Sequence, residues 1–133
     1  MVHTSFPGGG GSAEGWVYEA RGNVAAWDYQ TASFTRDGGW HTLDISAKVP
    51  VGTKAVLCRL YARANAVDHA AGLGAVGLVA PYASAGVSFS VVNRWIESSV
   101  FCPVDDDRKI GYYASGAQVI DIYLAIIGWW ILG

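Results

Sequence analysis

Along most of the chain, apolar and polar residues alternate one for one. No stretch of convincing length shows the three-to-four spacing of an amphipathic helix. The closing stretch, Val119 to Gly133, is the most apolar. In its first half Ile120, Ile122, Leu124 and Ile126 fall on one side. Val119, Asp121, Tyr123, Ala125 and Ile127 fall on the other. Period-2 spacing of β-branched and aromatic residues predicts a strand. From Tyr123 onward both sides are apolar, so both faces need cover. One goes to the domain's own core, the other to a second sheet, a partner subunit or a folded-back arm. Tyr123, Ile127, Trp129, Trp130 and Ile131 are therefore the candidate subunit-interface residues. A membrane-spanning helix needs about 20 apolar residues. This run is shorter and carries Asp121, so no membrane span is expected.

The rest of the chain is read in the same way. Residues 1–15, with glycine at every position from Gly8 to Gly11, form an N-terminal arm that precedes a single domain at 16–133. Trp16-Val17-Tyr18 and Ala26-Trp27-Asp28-Tyr29 are expected as short strands around a Gly22-Asn23 turn. Trp40 to Ser46 alternates between turns at Arg36 to Gly39 and Pro50 to Thr53. Lys54 to Ala64 is the clearest amphipathic strand. Val56, Cys58, Leu60 and Ala62 face one way, and Leu57, Arg59, Tyr61 and Arg63 the other. Further strands are expected at Leu73–Val79, Gly86–Val92, Trp95–Val104 and Arg108–Ala114, before the closing one. About eight strands with regularly spaced turns predict an all-β fold, a jelly-roll-like antiparallel β-sandwich.

Composition adds to this picture. Charged residues are 15% of the chain against a typical share of about 25%. Six Trp, seven Tyr and 17 Gly suit a β domain whose surface is partly interface. A net charge of -2 argues against nucleic acid as a partner, because phosphate binding needs a basic face. Cys58 and Cys102 both lie in expected strands. Paired, they would staple two strands. Unpaired, they would be small core residues, which is the expectation here. The opening residues lack the basic and apolar regions of a signal peptide, so synthesis in a cytoplasm is expected.

Candidate chemistry is sparse. No nucleophile elbow, phosphate loop, dinucleotide fingerprint or C-x-x-C is present, so no catalytic residue, cofactor or metal is assigned. His3, His41 and His69 belong to no ligand-spaced motif. The Asp105-Asp106-Asp107 run reads as a hairpin loop balanced by Arg108 and Lys109. An enzyme would need a constellation such as Asp68 and His69 near Asp121. The aromatic residues carry a second reading, a carbohydrate-binding module or lectin. Its candidate glycan contacts are Trp27, Trp40, Trp95, Tyr61 and Tyr113.

Three stretches bear a resemblance. They are WHTLDISAKVPVGTKAVLCRLYAR (40–63), VFCPVDDDRKIGYYAS (100–115) and VIDIYLAIIGWW (119–130). Together, over about half the chain, they resemble β-sandwich domains of bacteriophage virion proteins, chiefly tail-fibre, tail and capsid-surface components. The framework would be carried by Leu43 and Ile45, Val49-Pro50, Val56, Pro103, Asp105, Arg108 to Ile110, Tyr112 and Gly128-Trp129. The resemblance implies a non-enzymatic structural domain on a virus particle, often trimeric. Such a domain would be partnered by other virion proteins and able to touch host-surface glycans or proteins. No fibre-shaft repeat or heptad is present, so a fibre tip or a small decoration protein is the expected form.

Overall fold

The computed structural model describes residues 15–77 and 85–132. The rest of the glycine-rich arm, residues 78–84 and residue 133 lie outside the described residues. Strands with one apolar face must find a second layer to bury it, and among the described residues eight strands do so in pairs. They are β1 (Trp16–Ala20), β2 (Trp40–Asp44), β3 (Thr53–Ala64), β4 (His69–Gly74), β5 (Ala85–Phe89), β6 (Ile96–Pro103), β7 (Lys109–Ala114) and β8 (Val119–Leu132). One 3-10 turn, Thr31–Ser33, lies between β1 and β2. None of the described helices is long and apolar enough to cross a membrane.

Two four-stranded sheets form, ordered β1-β8-β3-β6 and β2-β7-β4-β5. The pairs β1/β8, β2/β7, β3/β6 and β4/β5 are all antiparallel. This is one long antiparallel hairpin, β1–β4 against β5–β8, rolled so that successive pairs alternate between two layers. The expected jelly-roll-like sandwich is therefore what forms.

The alternation within each strand places the core. Val56, Cys58, Leu60 and Ala62 of β3, Val100 and Cys102 of β6, and Ile122, Leu124 and Ile126 of β8 are buried from the first sheet. Leu43 of β2, Leu73 of β4, Phe89 of β5, and Ile110 and Tyr112 of β7 meet them from the second. Cys58 and Cys102 are free, buried thiols on adjacent strands. Burial pushes the Cys102 thiol up to about 12 and raises that of Cys58 as well, which leaves both unreactive near neutrality.

Three expectations are corrected. Ala26–Tyr29 is not a strand: only Tyr29 bridges to Leu124, because the preceding residues leave the sheet as a loop. The strand expected at Leu73–Val79 begins earlier, at His69, and ends at Gly74. Asp68, at φ 65, turns the chain into it, and its N–H donates to the Phe89 carbonyl. Residues 78 and 79 of that expectation lie outside the described residues. The strict two-sided alternation expected for β8 is broken by register shifts against β3. Asp121 pairs with Arg63, but Val119 pairs with Ala64, which makes Ile120 an extra residue. Val119 is thereby turned into the core instead of sharing the Asp121 side.

Candidate functional site

The outer face of the first sheet carries the side chains that the core leaves over. Rung by rung, β3 and β8 present Arg63 with Asp121, Tyr61 with Tyr123, Arg59 with Ala125, Leu57 with Gly128 and Ala55 with Trp130. β6 adds Glu97 beside Tyr61, Ser99 beside Arg59 and Phe101 beside Leu57. The second bulge in β8 falls at Ile127, since Cys58 pairs with Ile126 and Leu57 with Gly128. That extra residue inverts the end of the strand. Trp129 turns inward against the core, and Trp130 turns out.

Two aromatic clusters result. In the first, Tyr61 is sandwiched: Trp27 stacks on it at 5.6 Å and 5°, and Trp95 at 4.5 Å and 8°. Tyr123 closes the side of the stack, 5.8 Å from Trp27 and 5.5 Å from Trp95. The Arg63 guanidinium lies 4.9 Å over the Trp95 ring and is held there by Asp121 at 2.7 Å. In the second cluster Trp130 packs between Tyr18, at 4.8 Å, and Phe101, at 5.2 Å. Gly128 makes room for the Tyr18 ring. A Cβ there would overlap the Tyr18 hydroxyl and stand 2.7 Å from the Glu19 carbonyl oxygen. Gly128→Ala is expected to cost about 2 kcal/mol, the usual scale of overpacking. Urea unfolding checks this, and a loss under about 0.5 kcal/mol would mean that Tyr18 swings aside freely.

Between the clusters lies a cleft of about 370 Å³, lined by Gly22, Val24, Ala25, Ala26, Trp27, Arg59, Ala125 and Ile127. Its roof is the loop 22–27, stapled to β8 at both ends. Arg21 N–H donates to the Ile127 carbonyl, and Asp28 N–H to that of Leu124. At the base of the loop Arg21 and Asp28 form a side-chain ion pair. There the Asp28 carboxylate accepts from Ile126 N–H at 2.7 Å, and the Arg21 guanidinium donates to the Ile126 carbonyl at 3.1 Å. Side chains thus satisfy the β8 backbone where β1 has ended. On the other side Arg59 donates from Nε and Nη2 to Glu97 Oε1, at 2.9 and 2.8 Å.

The sequence-derived candidates are now placed. Trp27, Tyr61 and Trp95 come together in one stack. Trp40 and Tyr113 pair separately, 5.7 Å apart, on β2 and β7 of the second sheet. Of the interface candidates, Tyr123 joins the stack, Ile127 lines the cleft and Trp130 centres the second cluster. Trp129 and Ile131 point to the opposite side, Ile131 being paired with the buried Val17. Sequence reasoning missed Tyr18, Phe101 and the Arg21–Asp28 staple. Phe101 left a signal, an apolar residue on the polar side of β6. The staple left none.

Elsewhere, Asp105 spends its carboxylate on the N–H groups of Asp107 and Lys109. His69 Nδ1 meets Ser115 Oγ at 2.7 Å, while Asp121 serves Arg63, so Asp68, His69 and Asp121 share no hydrogen bond. Among the described residues no group of three or more His, Cys, Asp or Glu is placed to hold a metal. Comparisons with models of protein families, with curated proteins and with solved structures find no match to this chain.

Proposed function

We propose that this domain is a non-enzymatic structural component of a bacteriophage particle, a fibre tip or a capsid or tail decoration. It self-assembles, as a homotrimer, through one end of the outer face of its first sheet. The observation that carries the reading is the apolar patch at that end. Phe101 and Leu132 are large hydrophobics left about half exposed, and Val51 is more exposed still. Phe101 packs on Trp130, which packs on Tyr18 in turn, and Leu132 ends the same strand as Trp130. Val51 lies in the turn that leads into Thr53, at the same end of the sheet. Aromatic anchors in an apolar surround are what interface centres are built from. The three sequence stretches that resemble virion β-sandwich domains support the setting. So does the rolled topology, which viral capsid and lectin domains share, as an analogy of fold.

The test is native mass by light scattering on a sizing column. The full chain is expected at three times its 14.1 kDa. Trp130→Glu is expected as a folded monomer with its thermal midpoint nearly kept. Deleting residues 1–15 asks whether the arm contributes to the assembly. A wild-type monomer at the highest concentration reached would sink the assembly reading.

A further inference from the structure

We infer that the cleft under residues 22–27 is a binding site for a neutral sugar ring. The inference does not depend on self-assembly, because the cleft and the Val51–Phe101–Trp130–Leu132 patch are separate parts of the face.

The argument begins with the wall. A pyranose presents a face of C–H groups with partial positive charge, and an aromatic ring presents a negative π face to meet it. Of the stacked rings, Tyr61 has both faces covered by Trp27 and Trp95, and Trp95 carries Arg63 as well. Trp27 ends the stack and lines the cleft, held in orientation by the rings behind it. The floor, Ala125 and Ile127, is apolar.

The polar side is suited to hydroxyls. Arg59 lines the cleft, and Glu97 holds its guanidinium through Nε and Nη2, which leaves further donors for a ligand. Glu97 balances the Arg59 charge, so the cleft presents donors with no net charge, which favours a neutral ligand over an acidic one. Gly22, Val24, Ala25 and Ala26 have small or apolar side chains, so the loop meets a ligand partly through its backbone. Among the described residues no backbone hydrogen bond is made by 22–27.

Size and stiffness point the same way. A volume of about 370 Å³ lies at the small end of small-molecule sites, which run from about 300 to 1,000 Å³. That suits one or two sugar rings and is too small for a polypeptide segment. The Arg21–Asp28 staple fixes both ends of the roof before any ligand arrives, and the stack behind Trp27 holds its ring, which lowers the ordering that opposes binding.

The experiment is a titration of the full chain with glucose, galactose, mannose, N-acetylglucosamine and their disaccharides, plus glucuronic and sialic acids. It is read by tryptophan fluorescence and by amide shifts in NMR spectra. At least one neutral sugar is expected to bind, with the shifts centred on residues 22–27, 59, 125 and 127. Trp27→Ala and Arg59→Ala are each expected to weaken binding about tenfold or more. Trp40→Ala, in the second sheet, is expected to leave it unchanged. Arg59 is exposed, so its variant keeps the fold and reads the site even if Trp27→Ala disturbs the stack. Binding by none of the neutral sugars, a preference for the acidic ones, or binding that survives Arg59→Ala would each overturn the assignment. Light scattering on the same samples reads the assembly separately.

Discussion

Asp28→Ala is expected to destabilise the domain by about 3 kcal/mol, the scale for removing one partner of a buried pair. For a chain of this length that lowers the thermal midpoint by on the order of 10 °C. The Asp28 side chain is only 4% exposed. It accepts from Arg21 and from Ile126 N–H, with Lys48 Nζ 3.9 Å away. Its removal leaves a backbone donor of β8 and a guanidinium without their acceptor in a part-buried place. It also frees the base of the loop that roofs the cleft.

The same residue predicts a pH dependence. Burial by itself would raise the Asp28 carboxyl. Hydrogen bonds from Arg21 and Ile126, with the charges of Arg21 and Lys48, outweigh burial and hold it below its ordinary 3.8. A carboxyl lowered in the folded state stabilises the fold fully above the unfolded value. That stabilisation is lost as pH falls through the folded value. The stability gap between wild type and Asp28→Asn, measured in urea, should therefore be flat from about pH 7 to 5 and shrink below about pH 4. A gap that stays constant into acid would refute the ion-pair account.

Leu124→Ala should also cost about 3 kcal/mol, within the 2–5 kcal/mol range for such truncations in a core. Leu124 is fully buried. It faces Leu60 across the centre of the first sheet, and its backbone is bonded to Tyr29 on the other side. Its neighbour Tyr123 is the control. One residue along the strand it points outward, touching Trp27 and Trp95, so Tyr123→Ala should cost only about 1 kcal/mol. Denaturant midpoints for the two variants compare the faces of one strand directly. Equal losses would mean that the outer aromatic stack is as much a core as the inner layer.

Much of the architecture was legible because strand chemistry is local. In β3 the run from Val56 to Arg63 sorts itself by single alternation, and the structure buries Val56, Cys58, Leu60 and Ala62 as that pattern requires. Turn-formers such as Pro50-Val51-Gly52 punctuate the strands, and Gly52 takes the φ of +90° that such a turn uses. The site was only half legible. Tyr61 and Trp95 were visible as aromatic residues beside polar ones, Trp27 as an aromatic residue of an expected short strand, and Tyr123 as part of the apolar closing strand. Their stacking depends on four separate segments meeting.

The bulge at Ile127 shows why the rest was hidden. One unpaired residue exchanges the faces of Trp129 and Trp130, and two adjacent tryptophans carry no local mark of which one turns inward. The Arg21–Asp28 staple is equally silent. Its role comes from Ile126, 105 residues from Arg21 in the chain, whose backbone it completes.

By itself, then, the sequence determined most of the strands and turns, the buried face of regular strands such as β3 and the all-β class, because side-chain period and backbone propensity act over a few residues. Only the tertiary structure decided the pairing of β1 with β8, the bulged register, the division of the aromatic residues into a stack and a patch, and the cleft between them. Those depend on which distant backbones complete one another's hydrogen bonds, and no short window of sequence contains both partners.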